Sequence, residues 1–169
     1  ITLKKNSGPS VARNIGAENT KGNILFFVDS DVVLLKNAVE EVHNSYKNDK
    51  NLSAMIGMYS KEPANKSFFN YYMALWKYYT WAKPKLREFA TNFTGSCSTI
   101  KREVFNRLNG FSTKYKGADV EDYEFGYRLT KNYKIRLNAK IQGKHFFPSF
   151  KSCAKNYYKR ASQWFELFL

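Results

Sequence analysis

The sequence contains little cysteine and no long uninterrupted apolar segment, and both absences restrict what it can be. Its two cysteines, Cys97 and Cys153, provide neither a zinc-ligand spacing nor a disulfide framework, so we expect a protein of a reducing compartment. The residues that follow Ile1 lack the apolar core of a signal peptide. Because the chain starts without methionine and ends in the apolar segment 164–169, we interpret it as a piece of a longer protein.

Acidic residues are also scarce, since 14 Asp and Glu oppose 28 Lys and Arg and leave a formal net charge of +14. Such an excess attracts phosphate groups, whether in nucleic acid, in a nucleotide diphosphate or on an anionic membrane. The sequence has no RNA-recognition consensus, paired zinc ligands or basic heptad arm, so we predict no nucleic-acid partner. With 169 residues, of which 43% are hydrophobic, we expect one globular domain with its own core.

The most informative segment is a run of five apolar residues, 24–28, followed directly by Asp29-Ser30-Asp31. Apolar positions without alternation predict a strand buried on both faces of a parallel α/β sheet. Ligands of such sheets bind beyond the carboxyl ends of the strands, and residues two apart in an extended segment point the same way. Asp29 and Asp31 are therefore suited to a divalent metal that carries a diphosphate; the alternative is a solvated acidic loop.

Upstream of this strand, the sequence predicts a helix that begins near Pro9 and runs to Ala17. Arg13 and Asn14 lie in its first turns, where an arginine near the positive end of the helix helps to bind an anion. A solvated surface arginine is the alternative.

The other predicted elements are the end of a strand at 1–5, helices at 36–48 and 102–108, strands at 52–59 and 134–138, a loop at 142–148 and an amphipathic helix from 149 onward.

Residues 67–82 have a helical period but are aromatic on nearly every side, with basic residues on both flanks. This segment of 16 residues is shorter than the roughly 20 that a membrane-spanning helix needs. Tyrosine and tryptophan flanked by lysine and arginine are typical of a helix that lies in a membrane interface. A helix that packs on the sheet and fills a groove with its aromatic rings is the other interpretation.

Two further segments contain residues that are suited to ligand binding or to proton transfer. Gly95 and Ser96 have so little side-chain bulk that the backbone there can approach a ligand closely. Farther on, four of the fourteen acids lie within six residues. Asp119 or Glu121 can cap the next helix, whereas adjacent acids raise each other's pKa when partly buried, which suits Asp122 to the role of a general base.

Together these segments resemble the family 2 glycosyltransferases of the GT-A fold, over nearly the whole chain. The matching stretches are residues 6–16, 24–31, 95–105, 109–111 and 121–129, and the loop around His145. The resemblance implies a three-layer α/β/α sandwich with a mainly parallel central sheet. It also implies that the first strands of that fold, which bind the nucleotide base, are missing before Asn6.

The resemblance also implies a set of roles for individual residues. Asp31 holds Mg²⁺ or Mn²⁺, with Asp29 near the metal or the ribose, and His145 lies by the metal or instead bonds the backbone as a loop histidine. Asp122, with Glu121 beside it, is the base of an inverting transfer. The donor-binding residues are Arg13, Asn14, Asp29, Gly95 and Ser96.

The expected substrates follow from the same resemblance: a nucleotide-diphospho-sugar donor and a glycan or lipid-linked acceptor hydroxyl, in polysaccharide biosynthesis. The Gln-x-x-Arg-Trp motif of processive synthases is absent, which favours a non-processive enzyme. We divide the chain into a catalytic part, 1–148, and a C-terminal amphipathic helix, 149–169, and expect it at the cytoplasmic face of the membrane. The competing hypothesis is a non-catalytic basic domain that docks on membranes or polyanions.

Overall fold

A computed structural model describes residues 1–82, 89, 90, 92–115, 117 and 120–168, with the backbone alone for 82, 89 and 162–168. Asp119, which we predicted as a helix cap, lies outside the described residues. The elements in chain order are α1 (Pro9–Glu18), β1 (Ile24–Val28), β2 (Val32–Leu34), α2 (Ala38–Asn48), β3 (Ala54–Tyr59), α3 (Phe68–Ala82), β4 (Phe89–Ala90), β5 (Cys97–Lys101), α4 (Arg102–Arg107), α5 (Glu121–Thr130), β6 (Ile135–His145) and α6 (Phe150–Phe168).

The strands form one mixed sheet in the order β1-β5-β3-β6-β2, with β4 paired to β6. Of the described pairings, β3 with β6 is parallel, and β1–β5, β5–β3, β6–β2 and β4–β6 are antiparallel. The expectation of a mainly parallel sheet is therefore corrected to a mixed one. An apolar run indicates that both faces of a strand are covered but carries no information on the direction of its neighbour. Because β5 runs opposite to both β1 and β3, the strands β1, β3 and β6 still point the same way.

The two faces of the sheet are covered by different helices, as a three-layer α/β/α fold requires. Leu25 and Phe27 of β1 join a core made with α1, α4 and α5. Ile24 and Phe26 point to the opposite face, where they pack against a second core that includes α2. Five phenylalanines with ring centroids 4.6–6.4 Å apart fill the first core: Phe27, Phe93, Phe105, Phe111 and Phe125.

Several boundaries differ from the sequence-based predictions. Residues 1–5 form no strand, and the predicted loop at 142–148 is strand as far as His145. Strand β6 continues because Gly143, Lys144 and His145 pair with β2, a short strand that the sequence did not indicate. Helix α3 packs on a third apolar cluster, through Met73 and Ala74, together with α6. Within the described residues, no helix is both long and apolar enough to cross a bilayer.

Candidate active site

The segment Asp29-Ser30-Asp31 forms the turn between β1 and β2. The backbone N–H of Val32 donates to the carbonyl of Asp29 over 3.0 Å, and that of Phe146 donates to the carbonyl of Asp31 over 2.8 Å. Both aspartates line a cavity of about 640 Å³ above the ends of β1 and β3. The turn thus holds Asp31 beside the end of β6, where His145 lies.

Asp31 and His145 form one end of the cavity. Their Oδ2 and Nε2 atoms are 3.3 Å apart, and the imidazole is packed between the rings of Tyr59 and Phe147 with centroids 4.7 and 4.5 Å away. Burial lowers the pKa of His145 despite the opposing charges of Asp31 and Asp29, which favours the neutral imidazole. Its Nδ1 is buried without a hydrogen-bond partner in the described structure, so the side chain is not held by the backbone.

This pair fits a divalent metal in chemistry and spacing. Two ligands about 2.1 Å from one ion lie about 3.0–3.4 Å apart at octahedral or tetrahedral angles, which matches the Asp31–His145 separation. In the described part of the chain, no group of three or more His, Cys, Asp or Glu side chains forms a metal cluster. A metal here would therefore take its other ligands from outside this pair, as Mg²⁺ commonly does from phosphate oxygens and water.

Arg13 connects two acids that are far apart in sequence. Its guanidinium donates to Asp29 and to Glu121, each over 2.9 Å, and its side chain is only 14% exposed. Burial alone would lower the pKa of Arg13, but the hydrogen bonds and charges of Asp29 and Glu121 outweigh it and the pKa is raised. A Cβ on Gly95 would overlap this guanidinium, so a larger residue at this position would displace it.

Asp122 lies in the same cavity but in a different environment. Burial, followed by the negative charge of Glu121, raises its pKa to about 6, although Arg13 and the backbone N–H groups of Tyr123 and Gly95 oppose the shift. The Tyr123 N–H donates to Oδ1 over 2.9 Å. Glu121 is instead 3% exposed and bonded to Arg13. The two adjacent acids are thus distinguished: Glu121 anchors Arg13, and Asp122 has the pKa that a general base needs near neutral pH.

The structure brings most of the predicted site residues together. The cavity lining includes Arg13, Asp29, Asp31, Ser96, Glu121, Asp122 and His145. Gly95 lies directly behind it, against Arg13. Asn14 does not belong to the lining: its amide exchanges two hydrogen bonds of 2.9 Å with the backbone of Phe111, so it ties α1 to the turn at 109–111.

Other lining residues were not identified from the sequence. Tyr59 extends from β3, Tyr123 from α5, Lys77 and Trp81 from α3, and Tyr157 and Arg160 from α6. A weak signal existed for Lys77, the only charged residue in the aromatic segment 68–82. Nothing local distinguishes Arg160 from the neighbouring cations of α6, because its position depends on how that helix packs against α3.

Solved structures share this fold. GalNAc-T7 with UDP, GalNAc and Mn²⁺ superposes with a TM-score of 0.63 and 14% identity, over 88% of this chain and 32% of that one. The mannosyltransferase PcManGT from Pyrobaculum calidifontis, in complex with GDP-Man and Mn²⁺, superposes with a TM-score of 0.55 and 19% identity, over 87% of this chain and 39% of that one. The expected GT-A glycosyltransferase fold is confirmed.

Sequence comparisons then give the family. The model of glycosyl transferase family 2 matches residues 1–108, and one described as the N-terminal domain of galactosyltransferase matches residues 78–147. The chain belongs to glycosyl transferase family 2, as predicted.

Two curated relatives are glycosyltransferases by name. The poly(ribitol-phosphate) β-N-acetylglucosaminyltransferase TarP of Staphylococcus aureus (strain N315) is 42% identical over 66 residues, 38% of this chain and 20% of the relative. An uncharacterised glycosyltransferase of Haemophilus influenzae is 26% identical over 137 residues, which are 76% of this chain and 43% of the relative. The matches to these relatives cover about a fifth and two fifths of their lengths.

Proposed function

We propose that the full-length protein is an inverting glycosyltransferase that moves a sugar from a nucleotide-diphospho-sugar to the hydroxyl of a glycan or lipid-linked glycan, assisted by Mg²⁺ or Mn²⁺. The observation that carries the proposal is the cavity that holds Asp31 with His145 at one end and Asp122, with its pKa near 6, at another. Two structural neighbours with this fold were solved with a nucleotide or nucleotide sugar and Mn²⁺.

In this proposal Asp122 performs the proton transfer. Its carboxylate accepts the proton of the acceptor hydroxyl while the oxygen forms a bond to the anomeric carbon. The bond between that carbon and the nucleotide diphosphate breaks, and the diphosphate leaves with the electron pair. Because one displacement occurs on the face opposite the leaving group, the product has the inverted configuration.

Asp31 and His145 would hold the metal, and Arg13 would fix Asp29 beside it. When bound, a divalent cation neutralises charge on the departing diphosphate. Gly95 and Ser96 allow the backbone close to the donor, and Glu121 keeps Arg13 in place rather than taking a proton itself. Asn14 contributes by fixing the helix that carries Arg13.

The test is transfer or hydrolysis of UDP- and GDP-sugars by the full-length protein, with and without a chelator. We expect activity to require Mg²⁺ or Mn²⁺ and to fall at least about a hundredfold in Asp122→Asn. NMR of the anomeric proton reports the configuration of the product. Retained configuration, or near-normal turnover in Asp31→Ala, would contradict the proposal.

We also propose that the protein docks on the cytoplasmic face of an anionic membrane through α3 and α6, with segment 149–169 as the peripheral unit. Side chains on this surface are unusually exposed for aromatic residues: Phe68 is 93%, Tyr158 87% and Phe150 66% accessible. The rings of Phe69 and Phe150 meet edge to face with centroids 5.5 Å apart, so the two helices are in contact at this surface. Neither helix has an acid among its described side chains, whereas α6 carries several cations: Lys151, Lys155, Lys159 and Arg160.

Co-sedimentation with vesicles tests this docking. We expect binding to vesicles that contain phosphatidylglycerol and much weaker binding to phosphatidylcholine alone, since cations and interfacial aromatic rings both contribute. The double variant Tyr72→Ala, Trp76→Ala should bind less. The control is Tyr127→Ala, which removes an aromatic ring of similar exposure from α5. Equal losses in both variants would refute a specific docking surface.

A further inference from the structure

The lining of the cavity that holds Asp122 includes a cation for which the described side chains supply no charge partner. Arg160 extends from α6 into the lining. Among the described side chains, no carboxylate lies within ion-pairing distance of its guanidinium. Arg13, by contrast, is satisfied by two acids. A free guanidinium at the edge of a substrate cavity is suited to an anionic group of the ligand.

Two phenols lie in the same part of the cavity. Tyr123 follows Asp122 directly on α5, and Tyr157 is one turn before Arg160 on α6. Burial raises the pKa of Tyr123, with smaller contributions from Asp122 and Tyr157 and an opposing one from Arg160. Arg160, Tyr123 and Tyr157 all line the cavity that Asp122 lines. The lining thus offers three hydrogen-bond donors in the cavity that holds the proposed base.

Lys77 occupies another end of the cavity. It lies one turn along α3 from Met73, which clusters with Phe147, and the centroid of the Phe147 ring is 4.5 Å from that of His145. Lys77 is therefore placed toward the Asp31–His145 end, where the donor diphosphate would bind. The two cations that α3 and α6 contribute to the cavity thus have different neighbours, one on the donor side and one on the acceptor side.

We propose that the acceptor carries a phosphate group, bound by Arg160, Tyr123 and Tyr157 next to the hydroxyl that Asp122 deprotonates. This inference rests on the proposed function and specifies its acceptor. A phosphate offers three acceptor oxygens in different directions, which matches one guanidinium and two hydroxyls on separate helices. The cavity wall shares α3 and α6 with the exposed aromatic surface, and this favours a lipid-linked phosphate over a soluble one.

Binding to the full-length protein can be measured by calorimetry in the presence of Mn²⁺ and saturating UDP or GDP, so that the donor end is occupied. The probes are farnesyl phosphate with farnesol as its neutral partner, and ribitol 5-phosphate with ribitol. We expect each phosphate-bearing probe that binds to do so at least about tenfold more tightly than its neutral partner. A preference for farnesyl phosphate identifies the lipid-linked source, and equal binding of both phosphates identifies a general phosphate ester.

Variants separate this subsite from the bulk charge of the protein. Arg160→Gln should remove the phosphate preference, at least about tenfold, while Arg160→Lys retains part of it. Lys47→Gln makes the same change in net charge at an exposed position of α2, outside the cavity and outside the docking surface, and should have no effect. Lys77→Gln should weaken the nucleotide rather than the phosphate probe. Thermal melts establish that each variant is folded.

The outcomes distinguish this inference from the proposed function. If UDP and GDP both fail to bind the wild type with Mn²⁺, the proposed function itself is wrong. If nucleotide binds but phosphate and neutral probes bind equally, or if Arg160→Gln and Lys47→Gln behave alike, the phosphate subsite is refuted and the transferase proposal stands.

Discussion

Replacing Asp122 by asparagine should make the protein more stable at neutral pH while it abolishes transfer. Burial and Glu121 raise the pKa of this carboxyl from 3.8 to about 6. About two pKa units at about 1.4 kcal/mol each mean that ionised Asp122 opposes folding by about 3 kcal/mol at pH 7. Asparagine removes the charge but keeps only one acceptor oxygen for the N–H groups of Gly95 and Tyr123, at a cost of about 1–1.5 kcal/mol. The net expected gain is about 1.5 kcal/mol.

The sign of the pH dependence follows from the direction of the shift. The folded pKa lies above the unfolded one, so between pH 4 and 6 the folded protein binds more protons through Asp122 than the unfolded chain does. This group's contribution to stability therefore decreases as pH rises through that window and is constant above it. The advantage of Asp122→Asn should grow from zero or below near pH 4 to its full value above pH 6.

Urea unfolding of the full-length wild type and variant, followed by tryptophan fluorescence from pH 4 to 8, measures this difference. Asp49→Asn is a control of opposite sign, because backbone hydrogen bonds, chiefly from Asn51, and Arg136 lower the pKa of Asp49. Replacing the Asp49 carboxylate by the asparagine amide should destabilise the protein more at pH 7 than at pH 4. In the wild type, kcat/KM should fall about tenfold for each pH unit below pH 6, because Asp122 becomes protonated. An Asp122→Asn protein that is less stable than the wild type at pH 8 would refute the reasoning.

Three further predictions concern the support of the site, each measured by urea unfolding and by turnover. Arg13→Met should cost about 3–5 kcal/mol because it removes the guanidinium that is paired with the buried Glu121 carboxylate, and adding Glu121→Gln should restore most of it; additive losses would contradict the bridge. Gly95→Ala should displace the Arg13 guanidinium and lower turnover, whereas Gly16→Ala, with open space around it, should stabilise α1 by about 0.5–1 kcal/mol. Phe125→Ala should cost about 3–5 kcal/mol, and a loss below 1 would mean that this aromatic core is loosely packed.

Local sequence predicted the parts of the site that depend on nearby residues. The apolar run before Asp29 forms β1, and the helix that carries Arg13 begins at Pro9 as its turn signal indicates. What the sequence could not predict is the bridge from Arg13 to Glu121, which joins residues 108 positions apart. No spacing rule connects such positions, because the contact exists only once α1 and α5 pack on the same face of the sheet.

The strand directions and the role of Asn14 were missed for the same reason. An amide in the first turns of a helix can face a ligand or a neighbouring turn, and only packing decides between them. Asn14 faces the turn at 109–111, where Asn109 and Gly110 have φ angles of 58° and 63°. That turn therefore orients α1, and through it Arg13, relative to Asp29.

Helix α3 packs on the rest of the protein through one face, as one interpretation of the aromatic segment predicted, whereas its contact with a membrane stays a prediction. Met73 and Ala74 are buried against the third apolar cluster, and Lys77, one turn farther along, reaches the cavity. Tyr72 and Trp76, also one turn apart, are exposed on the other side. One helix thus has a packed face that shapes the cavity and an open face suited to an interface. If α3 lies on a membrane, a phosphate at the lipid surface would be presented at the cavity entrance rather than captured from solution, and membrane docking and acceptor binding would be coupled through this helix.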